Sequence, residues 1–300
     1  MRKHPVILGF CLLLLVGLLF LLLTALGGGF FGKRSLGWGE HVGVVTVEGI
    51  IRNSREITRQ IDDFGKDSSV KAIVVRIDSP GGGVTPSQEI HDAILTVKMK
   101  KKVVASMGAI AASGGYLIAC AADRIVANPG TVTGSISAIM HFANVEELLK
   151  KIGMKSSVIK SGRFKDIGSP TRPMTEEEKA LIQSLIDDTY DQFLDVVAKD
   201  RRIAKEDLRK LADGRLFTGR QALKLGLVDE LGDMRYAVRL AGTLSGIKGE
   251  PEAVYPAKKK STFWELILQH AVTTLVVEMQ KGETRPEGLN YLYQRMNAPE

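Results

Sequence analysis

One serine stands in the stretch of the chain best suited to covalent chemistry. Ser113 follows a run of small residues that begins at Met107, and Gly114 and Gly115 come directly after it. Small neighbours let a substrate backbone approach the hydroxyl, and a glycine after the serine leaves its backbone N–H open to a ligand. The apolar run that continues to Ala122 predicts a helix behind the serine. Ser113 is therefore the candidate nucleophile.

A serine hydroxyl needs a base to remove its proton. Of the five histidines, His91 and His141 are the most plausible by position, but neither sits in a small-residue loop or has an obvious orienting acid. A Ser-His-Asp triad is therefore poorly supported. A neutral lysine can replace histidine. Lys165 lies in a loop with glycine and serine, yet most loop lysines are on the surface, so these residues alone leave the base open.

Backbone N–H groups that could bind an oxyanion come from two places. Gly81, Gly82 and Gly83 follow a buried apolar strand, and Gly114 follows the serine. By themselves the three glycines could equally bind a phosphate or form a turn. The chain lacks the G-x-x-x-x-G-K-[ST] pattern of a nucleotide-binding loop. No Cys/His spacing suggests a metal site, and we expect no cofactor.

The composition sets broad limits on fold and partners. A chain of 300 residues with 44% apolar residues can bury one large core or two modest ones. The net charge of +7 is spread over many lysines and arginines, which indicates a solvated surface first and attraction to anionic lipids second. No basic stripe is interleaved with aromatic residues, so we do not expect nucleic-acid binding. Neither of the two cysteines is expected to form a disulfide.

Strands that alternate with helices predict an α/β fold. A capping box at Thr175 and Glu178 predicts the start of a long helix that runs to about Lys199. The side of this helix expected to be buried carries Leu181, Leu185, Ile186, Tyr190, Phe193 and Val197. The strands are predicted over 42–48, 71–77, 103–106, 124–128 and 155–159.

The N-terminal segment is long and apolar enough to span a bilayer. After a basic stub of residues 1–5, residues 6–26 carry no charge, which favours an uncleaved transmembrane anchor over a cleaved signal peptide. The preceding basic residues place the N-terminus in the cytoplasm. Residues 27–40 form a glycine-rich linker, residues 41–246 the main domain, and residues 247–300 a tail that is a candidate oligomerisation or interaction segment, with an amphipathic helix over 261–279.

Five ordered motifs resemble bacterial signal peptide peptidase A in its short, single-copy form. They lie at residues 78–83, 113–116, 133–136, 160–166 and 213–222. The resemblance covers roughly residues 40–245 and implies an α/β fold of the Clp protease/crotonase type, a β-α superhelix, with a single N-terminal transmembrane helix. It also makes residues 41–246 a peptidase domain.

The resemblance implies a role for each site residue. Ser113 is the nucleophile and Lys165 the general base of a serine–lysine dyad. Ser135 orients the lysine, and the oxyanion donors are Gly82, Gly83 and Gly114. The sequence departs from the usual family pattern at residues 137–138, where Ser-Ala replaces the commoner Gly-Val. This departure concerns the local shape of the chain beside Ser135.

The implied activity is that of a membrane-anchored serine endopeptidase that degrades remnant signal peptides after their release from preproteins. Its partners would be signal peptides and other membrane-associated peptides, the membrane, and further copies of the chain, with Lys165 of one subunit serving Ser113 of a neighbour. The catalytic domain would lie on the periplasmic side of the bacterial inner membrane. The alternatives are a protease of the same fold with other membrane-protein substrates, and a non-proteolytic membrane scaffold.

Overall fold

The computed structural model describes residues 13–19, 22 and 39–257. Of the predicted anchor over 6–26, only residues 13–19 and 22 are described, in helical conformation. Within the described ranges, none of the helices combines the length and apolarity that crossing a bilayer requires. The stub at 1–5, nearly all of the linker and the predicted helix over 261–279 lie outside the described residues.

Eight strands and eight helices make up the described part of residues 39–257. The strands are β1 (His41–Glu48), β2 (Val70–Ser79), β3 (Lys102–Ala112), β4 (Arg124–Ala127), β5 (Val132–Gly134), β6 (Leu216–Thr218), β7 (Glu230–Leu231) and β8 (Glu252–Val254). The helices are α1 (Arg55–Lys66), α2 (Val84–Lys98), α3 (Gly114–Cys120), α4 (Glu146–Lys151), α5 (Glu176–Arg201), α6 (Lys205–Arg209), α7 (Gly219–Lys224) and α8 (Met234–Ser245).

The strands form one mixed sheet in the order β6-β5-β3-β2-β1-β8, with β4 and β7 branching from β3. All pairings are parallel except that of β5 with β6. The first half of β3 pairs with β4 and its second half with β5. The register of β3 against β2 shifts between Met107 and Ala111. This irregularity lets one long strand serve two branches of the sheet.

The core has an apolar layer on each face of the sheet. On one face, alternate residues of β1 and β2 pack with α1, α2, α3 and α5. On the other face, the intervening residues pack against Ala237, Val238 and Ala241 of α8. Strands buried on both faces explain why β2 reads as a nearly continuous apolar run. The α/β alternation predicted from the sequence is confirmed.

Three predicted details differ from the structure. Residues 155–159 form no strand: they pair with no neighbour, and the Val158 and Ile159 side chains are exposed. On α5, Leu181 and Leu185 are exposed, whereas Phe193 and Val197 are buried as predicted. The sheet also continues past the predicted domain boundary at 246, because β8 pairs with β1.

Candidate active site

Ser113 occupies a sharp turn between β3 and α3. Its backbone has φ 53° and ψ −122°, and it is the N-cap residue of α3. A positive φ on a residue with a side chain costs on the order of 1–3 kcal/mol and persists only where surrounding structure enforces it. The Ser113 N–H donates to Gly134 O (2.8 Å), and Leu117 N–H donates to Ser113 O (3.0 Å). Strained strand-to-helix turns of this kind present a nucleophilic hydroxyl at the edge of a sheet.

Two backbone donors lie beside this serine. Gly114 is the first residue of α3, so its N–H points out of the helix without an intrahelical acceptor. Gly82 N lies 3.5 Å from the position that a Cβ on Gly114 would occupy. Within residues 39–257, neither N–H has a hydrogen-bond acceptor. Two free N–H groups next to a hydroxyl are the arrangement that stabilises the oxyanion of an acyl-transfer intermediate.

Gly83 does not fit its predicted role as a third donor. Its N–H donates to Ile51 O (2.8 Å), and Ile51 N–H donates to Gly81 O (3.0 Å). These two bonds form an isolated parallel bridge between Ile51 and Gly82. The bridge occupies the Gly83 N–H and fixes the glycine loop, which leaves Gly82 as the donor from this loop. The prediction for Gly83 is therefore corrected.

Gly81 belongs to the glycine loop that the sequence marks as a candidate donor site, but it is not among the predicted oxyanion donors. Its φ is +102°, and a Cβ there would lie 2.8 Å from Gly114 N and 2.9 Å from Ser113 Cβ. Only glycine allows this backbone conformation and this approach. The position of Gly81 in a glycine triplet at the end of a strand is the sequence signal that could have identified it.

The structure places Ser135 beside Ser113. Ala112 pairs with Gly134 in the β3–β5 ladder, so each serine directly follows a paired residue. Ser135 also has a positive φ (51°), and its N–H donates to Arg215 O (2.8 Å). A buried bond from Thr133 Oγ1 to Ala111 O (2.7 Å) ties the two strands together. The backbone of Ser135 thus lies beside the turn that carries the candidate nucleophile.

Lys165 lies in a series of turns over residues 163–168, and its side chain is exposed. The backbone N–H of Lys165 donates to Gly162 O (3.2 Å). In the described ranges, its ammonium group makes no hydrogen bond or ion pair, either with Ser113 or with another residue. The burial expected of a neutral lysine is therefore not found within one chain, and the structure does not bring the predicted dyad into contact in a single copy.

The residue after Lys165 belongs to a cluster of charges. Arg172 and Lys160 donate to the Asp166 carboxylate and hold its pKa well below the usual value. Hydrogen bonds from Arg172 and from the Thr175 N–H lower the pKa of the buried Glu178 to about 2. The loop that carries Lys165 is thereby joined to the first turn of α5.

The structure offers no better base among the histidines of the described part. His91 is buried, and its Nε2 lies 2.6 Å from Asp200 Oδ2 while its Nδ1 lies 3.2 Å from Asp92 Oδ1. An acid partner therefore exists, contrary to the sequence interpretation, but both ring nitrogens are occupied. His141 is exposed. Neither residue is positioned to take a proton from Ser113.

The structure has a groove of about 660 Å³. The first of its lining residues in the chain is Ser137, two positions after Ser135. Its lining combines apolar residues with the charged residues Lys179, Asp187 and Asp213. The apolar residues include Ala138, Ile139, Met140, Phe142, Ile186 and Tyr190. Apolar walls with a few polar groups are typical of sites that bind extended or apolar ligands.

In the described ranges, no group of three or more His, Cys, Asp or Glu residues could hold a metal ion. Cys120 is buried, and burial raises the pKa of its thiol to about 12.

Comparisons with known proteins agree with this arrangement. The sequence profile of peptidase family S49 matches residues 96–248, and that of Clp protease matches residues 45–131. The first match contains Ser113, Ser135 and Lys165. The second contains the Gly81–Gly83 loop and the strands that carry it, which supports a Clp protease-like α/β fold with a mixed sheet.

Three relatives are similar over 60% or more of this chain. A candidate protease of Synechocystis sp. is 49% identical, over 63% of this chain and 68% of that protein. A candidate protease of Methanocaldococcus jannaschii is 38% identical, over 68% of this chain and 65% of that protein. A candidate signal peptide peptidase of Enterococcus faecium is 38% identical, over 60% of this chain and 53% of that protein. The alignments therefore leave about a third to a half of each relative unmatched.

The resemblance to signal peptide peptidase A is confirmed at the level of the family. The S49 profile spans just over half of the chain, and it includes the turn at Ser113 and the loop at Lys165. The Synechocystis relative is matched over more than two thirds of its length. The chain thus belongs to peptidase family S49, a family of serine proteases.

Proposed function

We propose that the chain is a serine endopeptidase in which Ser113 is the nucleophile and Lys165 the general base. The observation that carries the proposal is the strained turn at Ser113, with the free N–H groups of Gly82 and Gly114 beside it. Backbone strain of this size is maintained at functional sites, where it fixes the geometry of a reacting group. The membership of family S49 supports the same chemistry.

The reaction has two steps, acylation of Ser113 and hydrolysis of the acyl-enzyme. The neutral amine of Lys165 takes the proton from Ser113 Oγ as the oxygen attacks a peptide carbonyl carbon. The oxyanion binds the N–H groups of Gly82 and Gly114, and the lysine then gives the proton to the leaving amine. Water, activated by the same lysine, hydrolyses the acyl-enzyme and restores the serine. In this proposal Ser135 holds the amine in line with the hydroxyl.

The base is expected to come from a second copy of the chain. Lys165 is exposed and makes no contact with Ser113 of its own chain. The segment before the Lys165 loop, residues 139–152, also exposes the apolar side chains of Ile139, Met140, Leu148 and Ile152. Packing against another copy would cover these side chains and desolvate the lysine, which favours the neutral amine that the reaction requires.

The proposed substrates are remnant signal peptides. The groove lined from Ser137 onward includes apolar residues that suit the side chains of such peptides, and one relative is named as a signal peptide peptidase. An anchor over residues 6–26 would hold the enzyme in the inner membrane beside them, with the catalytic domain in the periplasm. Extraction of membranes at alkaline pH tests the anchor, because an integral protein stays in the pellet and a peripheral one is released.

A peptide-cleavage assay tests the proposed chemistry. We expect Ser113→Ala and Lys165→Ala each to lose at least about 1,000-fold in kcat on a fluorogenic peptide with small and apolar residues, because the residues of a catalytic unit fail together. Lys155→Ala, which removes another exposed lysine of the same region, should stay within about twofold of wild type. Wild-type activity should rise toward alkaline pH as the base loses its proton.

Three results would contradict the proposal. Cleavage retained by either site variant removes that residue from the mechanism. A plateau of activity down to pH 5 is incompatible with a lysine base. A wild-type protein that cleaves no peptide favours a scaffold built on a peptidase fold, whereas cleavage of apolar peptides other than signal peptides favours a protease with other membrane-protein substrates.

A further inference from the structure

We propose that Arg172 is a positioning residue for the general base. It holds the turn that carries Lys165 against the first turn of α5 and so fixes the point from which Lys165 reaches a serine. This inference rests on the proposed function of Lys165 and adds a residue that does not itself touch the substrate.

One side of the guanidinium binds the residue next to Lys165. Arg172 Nε donates to Asp166 Oδ2 (2.9 Å), and Nη2 lies 3.3 Å from Asp166 O. Both the side chain and the backbone of Asp166 are therefore held. Since Asp166 is joined to Lys165 by one peptide bond, a shift of Asp166 moves the start of the lysine side chain with it.

The other side of the guanidinium binds a buried carboxylate. Arg172 Nη1 and Nη2 donate to Glu178 Oε2 (2.8 Å) and Oε1 (2.5 Å). Glu178 is only 3% exposed and also accepts the Thr175 N–H (2.9 Å) in the capping box of α5. A two-pronged contact between arginine and carboxylate fixes direction as well as distance. These residues form the Asp166–Arg172–Glu178 clamp.

A second arginine in the same loop provides the contrast. Arg163, two residues before Lys165, pairs with Glu177, the neighbour of Glu178 on α5. The Arg163 side chain is 73% exposed, against 30% for Arg172, and Glu177 is half exposed. Exposed pairs of this kind contribute little to rigidity or stability. Arg163 thus joins the same loop to the same helix without clamping it.

Loss of the clamp should slow the reaction without weakening substrate binding. A base displaced by about 1 Å costs on the order of 100-fold in rate when the geometry of attack is critical. Lysine cannot replace the planar fork of arginine, so it cannot hold both carboxylates in the same way. We therefore expect the turnover number to depend on the planar guanidinium group of Arg172 and not only on its positive charge.

The experiment compares Arg172→Gln, Arg172→Lys and Arg163→Gln with the full-length wild-type protein. We measure kcat and KM on a fluorogenic peptide, the rate at which a phosphonate inhibitor labels Ser113, the melting temperature and the oligomeric state. For Arg172→Gln we expect kcat and the labelling rate to fall at least about 10-fold with KM within twofold, with Arg172→Lys between it and wild type. Arg163→Gln should match wild type.

Each other result has a definite meaning. If Arg172→Gln keeps kcat within twofold, or if Arg163→Gln loses as much, the inference is wrong. A rise in KM without a fall in kcat also overturns it. If Arg172→Gln does not fold, Glu178→Gln decides, because it keeps an acceptor for the Thr175 N–H and weakens only the pairing with Arg172; unchanged kcat there rejects the clamp. Activity retained by Lys165→Ala in the same assay would instead reject the proposed function.

Discussion

Gly81 determines how closely the glycine loop approaches the serine turn. Its φ of +102° lies in a region that residues with a side chain rarely adopt. The surrounding contacts leave no room for a methyl group, because Gly114 N, Ser113 Cβ and Ala112 O all lie within 3.0 Å of the Cβ position. The geometry of the two proposed oxyanion donors, Gly82 and Gly114, therefore depends on Gly81, which is not itself a proposed donor.

Replacing Gly81 by alanine tests this dependence. We expect Gly81→Ala to lower kcat at least about 100-fold, because the methyl group pushes Gly114 N–H away from the oxyanion. The free energy of unfolding should also fall, by about 2 kcal/mol, from backbone strain at a positive φ. Peptide-cleavage kinetics and urea denaturation measure the two effects. Gly130→Ala is the control, since no atom lies within 4 Å of its Cβ position; equal activities in the two variants would refute the dependence.

At the residue scale, the sequence predicts residue types better than conformations. Ser113 and the glycines around it could be identified from small residues and spacing. Ser135 has a positive φ, and its N–H donates to Arg215 O, 80 positions away in the chain. The bond that occupies the Gly83 N–H goes to Ile51 O, 32 positions away. Such pairings are set by tertiary contacts, which no local pattern records. Arg172 lies too close in sequence to other charges to be distinguished without geometry.

At the scale of elements, the sequence predicts a strand over 103–106, whereas β3 extends over Lys102–Ala112. Most residues of its second half are small, and small residues have weak strand preference. This half pairs with β5 on one side and, at Ala111, with Ser79 of β2 on the other. Tertiary pairing thus extends the strand up to the candidate nucleophile, Ser113. The capping box at Thr175 is predicted directly from the sequence and is confirmed, because its signal is local.

The exposed first half of α5 explains another difference. Leu181 and Leu185 have the spacing of a buried face but are 42% and 55% exposed. The spacing shows only that one face is apolar and not which surface covers it. The structure of one chain leaves this face in the same region as the groove beside Ser135, which is consistent with packing against a second copy.

The Asp166–Arg172–Glu178 clamp gives a prediction for stability in acid. Hydrogen bonds from Arg172 lower the folded-state pKa of both carboxyl groups, to about 2 for Glu178 against 4.5 for the free group. The unfolded chain therefore binds protons first as the pH falls. The stabilisation is complete above about pH 5 and is lost as the pH falls from about 4.5 toward 2.

Chemical denaturation at several pH values measures this loss. The free energy of unfolding of the wild type should fall between pH 5 and pH 3, and it should fall less for Glu178→Gln, which has no carboxyl group to protonate. The comparison between the two proteins removes the contribution of every other carboxylate. An identical pH dependence in both proteins would show that Glu178 is not held by the clamp.

At the scale of the whole molecule, the proposed activity depends on assembly. One chain presents a serine turn with two free backbone N–H groups, and an exposed lysine on a loop that the clamp joins to α5. Under the proposed mechanism neither half cleaves a peptide alone, since a serine hydroxyl without a base is a weak nucleophile. We therefore expect the active enzyme to form when the lysine loop of one copy meets the serine turn of another. The monomer would then be inactive.

The most direct measurement is complementation between two inactive variants. Ser113→Ala keeps the base and Lys165→Ala keeps the nucleophile, so co-expressed copies can form sites that contain both residues. If the copies mix at random, roughly a quarter of the sites should be complete, and peptide cleavage should return to about that fraction of wild type. Each variant alone should stay inactive. Mixed assemblies that remain as inactive as the separate variants would contradict an active site shared between subunits.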